Sequence, residues 1–333
     1  MIGVVLILSR VFGFRKRENM ATTPPRPASR AKPAARAKQK QDRTMLGRLF
    51  DGGDTGPERL ARRIARAGIA SRRQAEVLIR EGRVTINGQL QVSPAINIAA
   101  DDDIRIDGTA LPATDLPRLW RYYKPRGLVV SNRDEKGRKT VFDTLPATMP
   151  RVVSIGRLDL DSEGLLLLTN AGDLARYLEL PATGWTRKYR VRVHGLVDPE
   201  KLAALAQGIT IEGVHYRSIA ARLDRQGPSN AWLSIALKEG KNREIRRVME
   251  YLGYPVSRLI RTGFGPFGLE KLEEGMALEV RHATLRDQLG LPAAKPVKPV
   301  KPAVSPSKTE AKPTAKRATK RPAKPAARNT RRR

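Results

Sequence analysis

Two cationic, proline-rich segments bracket this chain, and neither can bury a core. One includes TTPPRPASRAKPAARAKQK within residues 21–50, and the other runs from residue 292 to 333 and ends RPAKPAARNTRRR. Such composition cannot offset the entropy of ordering, so both ends are predicted to be disordered and solvated. Residues 1–50 carry a net charge of +10 and residues 291–333 carry +13, leaving +8 of the total +31 for residues 51–290. The foldable part is therefore the middle, and it is still basic. Basic surfaces favour polyanions, because each phosphate contact releases condensed counterions.

Several function classes drop out on composition. There is no Cys, which excludes disulfides, thiolate metal sites and thiol nucleophiles and fits a reducing, cytoplasmic setting. His194, His215 and His282 have no ligand-like spacing, so no metal site is expected. The apolar start, Met1 to Phe14, is shorter than the ~20 residues a membrane span needs. Its charges follow the apolar run rather than precede it, against a signal peptide. Met20 is an alternative start, and residues 1–19 are read as non-functional.

The chain is expected to divide into a basic tail (1–56), a small module (57–108), a linker (109–117), a larger domain (118–290) and a second basic tail (291–333). In the module, PERLARRIARAG reads as a helix stopped by Gly68. Ser71 to Gln74 fits a capping box before a second helix, and RVTING enters a tight hairpin at Asn87-Gly88. From Arg118 onward, strand patterns such as LWRYY, GLLLLTN, RKYRVRVHG and VSRLIRTG outnumber helices such as GDLARYLEL, PEKLAALAQG and NREIRRVMEYLG. Several strands follow one another without a crossover helix. This predicts an α+β fold with a mainly antiparallel mixed sheet and flanking helices.

Arg62, Arg66, Arg72, Arg73, Arg80 and Arg83 crowd the module and are candidate RNA contacts. The stretch GIASRRQAEVLIREGRVTING resembles the RNA-binding domain first known from small-subunit ribosomal protein S-four. That resemblance implies recognition of structured RNA by shape and backbone.

A second constellation is SIGRLDLDSEGLLLLTNAGDLA, where Asp159, Asp161 and Glu163 alternate before an apolar run. A loop entering a buried strand suits three neighbouring acids better than one strand face. Read by residue type alone, this is a polar turn or a carboxylate pair suited to glycosidic chemistry. The run GRLD, a polar pair, Gly-Leu and the ending Thr-Asn-x-Gly-Asp-Leu resemble the signature of the RsuA/RluB family of ribosomal RNA pseudouridine synthases. Lys124-Pro125-Arg126-Gly127, Lys188-Tyr189-Arg190-Val191 and Gly240 to Arg247 (GKNREIRR) resemble further motifs of that family, in the same order. The likeness covers residues 57–285 and is nearest the RluB-like branch, which acts on large-subunit ribosomal RNA. The long basic tails depart from the family pattern.

The resemblance implies a catalytic Asp159, a base-stacking Tyr189, an intruding Arg157 that fills the gap left by a flipped base, and Arg246 as the cation that keeps Asp159 ionised. It places Lys124, Lys241 and Arg243 among the RNA contacts. The partner is ribosomal RNA or a pre-ribosomal particle, no membrane is involved, and a monomer is the default. The isomerisation detaches uracil and rejoins it through carbon, without net redox or hydrolysis, so no cofactor is expected. Two other readings stay open: an rRNA-binding assembly factor without catalysis, and a nucleoside hydrolase. Gly263-Phe264-Gly265-Pro266-Phe267-Gly268 fits GxGxxG but lies late, contains Pro266 and leads to no long helix, against a dinucleotide site.

Overall fold

The computed structural model describes residues 43–53, 56–180 and 183–293. The readings for residues 1–42 and 294–333 lie outside the described residues. Residues 43–50 form a helix, α1, that the sequence reading had placed in the disordered tail. Its Leu46, Leu49 and Phe50 are buried against Leu119, Leu285, Leu289 and Leu291 of the larger domain. Three large side chains at helical spacing, ~1.5–3 kcal/mol each when buried, outweigh the cationic composition around them.

In the module, α2 (Leu60–Arg66) follows the two-residue strand β1 (Glu58–Arg59), which pairs with β4 (Asn97–Ile98). Helix α3 (Arg72–Arg80) opens on the expected capping box: Ser71 Oγ accepts from Gln74 N, and Gln74 Oε1 accepts from Ser71 N. Asn87 (φ 50°) and Gly88 (φ 81°) turn β2 (Val84–Ile86) into β3 (Gln89–Gln91). Strands β5 (Ile104–Ile106) and β6 (Thr109–Ala110) complete a sheet of order β3-β2-β5-β6. The linker therefore starts after Ala110 rather than at Thr109.

The larger domain is built on a nine-stranded sheet. Its strands are β7 (Leu119–Lys124), β8 (Val153–Ile155), β9 (Ser162–Thr169), β10 (Arg187–His194), β13 (Ile219–Gln226), β14 (Asn230–Leu237), β15 (Val256–Phe264), β16 (Phe267–Gly268) and β17 (Ala277–Val280). The main order is β13-β14-β10-β15-β9-β7-β17, and all its pairings are antiparallel except β15 with β9. The fold is α+β, with helices α4 (Gly172–Glu179), α5 (Pro199–Ala204), α6 (Glu244–Tyr251) and α7 (His282–Gln288) flanking the sheet. A small hairpin, β11 (Ile209–Ile211) and β12 (Val214–Tyr216), lies apart from it. Every residue of β9 is buried, as expected of a continuous apolar run at the centre of a sheet. The glycine-rich stretch is the β15–β16 hairpin: a Cβ at Gly265 would sit 2.6 Å from the Trp185 ring. It is a packed turn, not a nucleotide loop.

Module and domain touch through specific polar contacts. Arg62 reaches Asp173 at the start of α4 at 2.7 Å, and Arg151 donates to the carbonyl of Ala70 at 3.1 Å.

Candidate active site

The segment from Gly156 to Asp161 crosses from β8 to β9 and is held at many points. Glu179, at the end of α4, accepts from Gly156 N at 2.7 Å. A tight turn follows, with Ser162 N donating to Asp159 O at 3.1 Å. Gly127 N donates to Leu160 O at 2.9 Å. Beneath the turn lies Lys124, fully buried, whose ammonium donates to Pro125 O (2.8 Å), Ser162 O (2.8 Å) and Leu160 O (3.4 Å). Burial lowers its pKa to about 8, and the carboxylates of Asp159, Asp161 and Glu163 act against that. Lys124 was expected among the RNA contacts; it is absent from the lining of the Asp159 cleft and its ammonium is taken up by three carbonyls, so it instead ties down the Asp159 turn.

The three acids separate by environment. Asp159 is half-buried, Asp161 is exposed, and Glu163 is buried within β9 rather than in the loop. Glu163 takes a two-pronged bond from Arg258, at 2.6 and 3.2 Å. Such a satisfied pair has a structural character.

Asp159 lines a cleft of about 710 Å³ together with Arg157, Tyr189, Lys241 and Arg243. Arg157 is exposed and Tyr189 half-buried. Strands β10 and β15 supply Tyr189, Arg187, Leu259, Arg261 and Phe264, and residues 240–245, at the entry to α6, also line the cleft. Arg243 has φ 50°, the left-handed conformation in which the chain enters α6.

Arg246, on α6, is half-buried beside this cleft rather than in its lining. Its guanidinium donates to Asp161 O and Val256 O, each at 3.2 Å, and the carboxylates of Asp161 and Asp159 act on its charge. The ion pair with Asp159 expected from the sequence is not among the salt bridges of the described residues; Arg246 meets the turn through the carbonyl of Asp161 instead. It braces the outer side of the turn that Lys124 holds from below.

Three polar residues of the cleft escaped sequence reasoning. Glu244 is buried, with Oε2 accepting from Lys241 N at 2.8 Å and Oε1 without a hydrogen-bond partner. Burial pushes its carboxyl up to about 7. Arg187 donates to Lys238 O at 2.8 Å and stacks over Phe264. Arg261 is 2 % exposed and donates from Nε to Leu165 O at 2.6 Å. The available signal was strand phase: Lys124 shares the inward phase of Trp120 and Tyr122, and Arg261 that of Leu259.

In the module, Arg62 also approaches Glu58 (3.6 Å), and Arg66 pairs with that buried Glu58 at 2.5 Å. Both arginines serve the module's own packing and its seat on α4, which corrects their reading as simple RNA contacts. Arg80 pairs with Glu76, and Arg83 with Asp107 and Glu81, in exposed positions. Arg72 and Arg73 are exposed on the first turn of α3. No group of three or more potential metal ligands occurs among the described residues.

The cleft thus gathers an aspartate on a braced turn, a tyrosine, arginines and a lysine in its lining, in a domain that follows a small arginine-bearing module. The RNA pseudouridylate synthase family profile matches residues 118–251, and the S4 domain profile matches residues 58–104. A protein of Rickettsia felis named an uncharacterized RNA pseudouridine synthase is 46% identical over 228 residues, which span 68% of this chain and 99% of that protein. Ribosomal large subunit pseudouridine synthase B of Yersinia pestis is 39% identical over 224 residues, spanning 64% of this chain and 69% of the relative. A solved pseudouridylate synthase is 28% identical, covering 69% of this chain and 99% of its own, with a TM-score of 0.49. The chain belongs to the RNA pseudouridine synthase family.

Proposed function

We propose that this enzyme converts a specific uridine of large-subunit ribosomal RNA to pseudouridine in the cytoplasm, acting as a monomer. The observation that carries the site assignment is the meeting of Arg157 and Asp159, from the turn between β8 and β9, with Tyr189 of β10 in the lining of one cleft. Support for the RNA class comes from the similarity to large-subunit pseudouridine synthases B.

In this reading the target uridine leaves its stack at a cost of a few kcal/mol. The exposed Arg157 takes the vacated space. The uracil ring lies against Tyr189, where stacking contributes ~1–3 kcal/mol. Asp159 acts at the sugar, its turn held by Lys124 and Arg246 from two sides. Lys241 and Arg243 at the cleft rim contact phosphate. Arg72, Arg73, Arg80 and Arg83 form the module's exposed basic face toward structured RNA.

The test is a pseudouridine map of ribosomal RNA from cells with the gene, without it, and with Asp159→Asn. One large-subunit position is expected to lose modification in both mutant strains, while purified Asp159→Asn protein still binds the RNA. An unchanged map, or full turnover by Asp159→Asn, rejects the assignment.

A further inference from the structure

Arg261 is a buried cation without a buried anion. It lines the same cleft as Asp159 and Tyr189. Its Nε is satisfied by Leu165 O and the Phe264 ring centroid lies 5.5 Å from the guanidinium carbon, but the buried Nη2 has no hydrogen-bond partner. The charged or titratable groups acting on it are Tyr189 and Arg187, and no carboxylate is among them. Lys124 and Arg246, by contrast, both feel Asp159. A buried guanidinium that has no carboxylate partner and one unsatisfied donor is disfavoured until a further acceptor or anion meets it. A site that keeps one is complementary to something anionic that arrives later.

Position identifies that anion. Arg261 stands directly opposite Tyr189 across β10 and β15, so the two side chains leave the sheet on the same face, and the Tyr189 phenol acts on its charge. Gly164, on the other side of Arg261, carries no side chain to compete for it. Arg261 therefore faces the place where the base stacks rather than the place where the sugar meets Asp159.

The chemistry supplies negative charge there. When the glycosidic carbon–nitrogen bond breaks, its electron pair leaves with the ring nitrogen, and uracil becomes an anion whose charge spreads onto its two carbonyl oxygens. After the ring turns, the electron pair of the new carbon–carbon bond comes from the base. The proton on that ring carbon is then lost, and one proton is gained at nitrogen, so atoms and electrons balance without a co-reactant. Donors fixed where charge develops act most strongly in a water-excluded site.

We propose that Arg261 donates from its guanidinium to a carbonyl oxygen of the flipped uracil, stabilising the detached uracil anion and selecting a base that presents an acceptor there. This rests on the isomerase reading above. Cytosine, with an amino donor in place of one carbonyl, leaves a buried donor facing a donor if that edge is the one read, a mismatch that polar sites reject strongly.

The experiment is single-turnover conversion of an rRNA fragment carrying the mapped target, with full-length enzyme at saturation. Arg261→Gln is expected to slow conversion by at least ~100-fold while RNA affinity changes less than ~3-fold, and Arg261→Lys to recover at least ~10-fold of the loss. Wild-type enzyme is also given fragments with 2-thiouridine or 4-thiouridine at the target, sulfur being the weaker acceptor. One of the two is expected to react at least ~10-fold more slowly, and that difference to vanish in Arg261→Gln. Arg261→Gln that folds and reacts at the wild-type rate overturns the proposal. So does a wild-type enzyme indifferent to both thio substitutions, which decides the matter even if the variants do not fold. A wild-type enzyme that converts no rRNA uridine would instead sink the isomerase reading itself.

Discussion

The ammonium of Lys124 lies 2.8 Å from the carbonyl oxygen of Ser162, and this single bond joins the first strand of the catalytic sheet to the end of the turn that presents Asp159. The same ammonium also holds Leu160 O and Pro125 O. A charged group is buried here because three carbonyl dipoles and nearby carboxylates replace its water.

Replacing Lys124 by Met keeps the stem and removes the ammonium from Ser162 O and Pro125 O, at ~1–3 kcal/mol for each acceptor left unpaired, while Leu160 O still accepts from Gly127 N. Denaturant titration should show a loss on the order of 3 kcal/mol, and single-turnover conversion should fall by at least ~10-fold from loosening of the Asp159 turn. RNA affinity should stay near wild type. A Lys124→Met protein that converts RNA normally but binds it poorly would restore the RNA-contact reading.

Arg246 and Lys241 are expected to separate by kinetics. Arg246 braces Asp161 O and acts on the Asp159 carboxylate, so Arg246→Met should reduce the chemical step by ~10²-fold, about 2.7 kcal/mol, with little change in affinity. Lys241 lies exposed at the rim, so Lys241→Met should mainly weaken binding and flatten its salt dependence by about one phosphate contact. Single-turnover rates and binding isotherms on both variants check the division.

Glu244 gives the fold a pH dependence. Burial raises its carboxyl from the ordinary 4.5 to about 7, so between those values the folded protein holds a proton that the unfolded chain has released. Its contribution to stability is therefore complete below about 4.5 and lost as pH rises through about 7. Integrated over that window, the loss approaches ~3 kcal/mol. Glu244→Gln, which still accepts from Lys241 N, should remove this slope. Urea unfolding of both proteins between pH 5 and 7.5 measures it, and parallel curves would dismiss the assignment.

Helix α1 is tested by Leu46→Ala. A fully buried Leu in a shared core should cost ~2–5 kcal/mol. A melting point equal to wild type would return residues 43–50 to the status of a tail.

Much of the architecture was written in local pattern. The Ser71–Gln74 capping box, the Asn87-Gly88 turn and the all-apolar Leu165–Leu168 run each specify one outcome, and each occurs as read. Helix α1 was not legible because Leu46, Leu49 and Phe50 are few among cations, and their partners, Leu119 and Leu285, are far away in sequence. At the site, motif order located Asp159 and Tyr189 on one cleft. Residue type misled for Lys124, since a lysine in a basic protein reads as a phosphate contact until its strand phase is considered. The same phase exposes Arg261, which no motif marked. Arg62 and Arg66 looked like a free basic face because their partners, Asp173 and Glu58, are supplied by folding.

The packing of α1 has a topological consequence. Because Leu46 and Phe50 sit in the same core as Leu119, the chain enters that core, leaves to build the RNA-binding module, and returns. The module is thus an insertion within the catalytic body, tethered at both ends, rather than a bead on a leading string. Two tethers to one rigid base confine its orientation more tightly than a single linker, and Arg62 and Arg151 add lateral pins. Under the proposed function, the span from RNA held by the module to a uridine at Asp159 is then a length set by the fold rather than by a flexible connection.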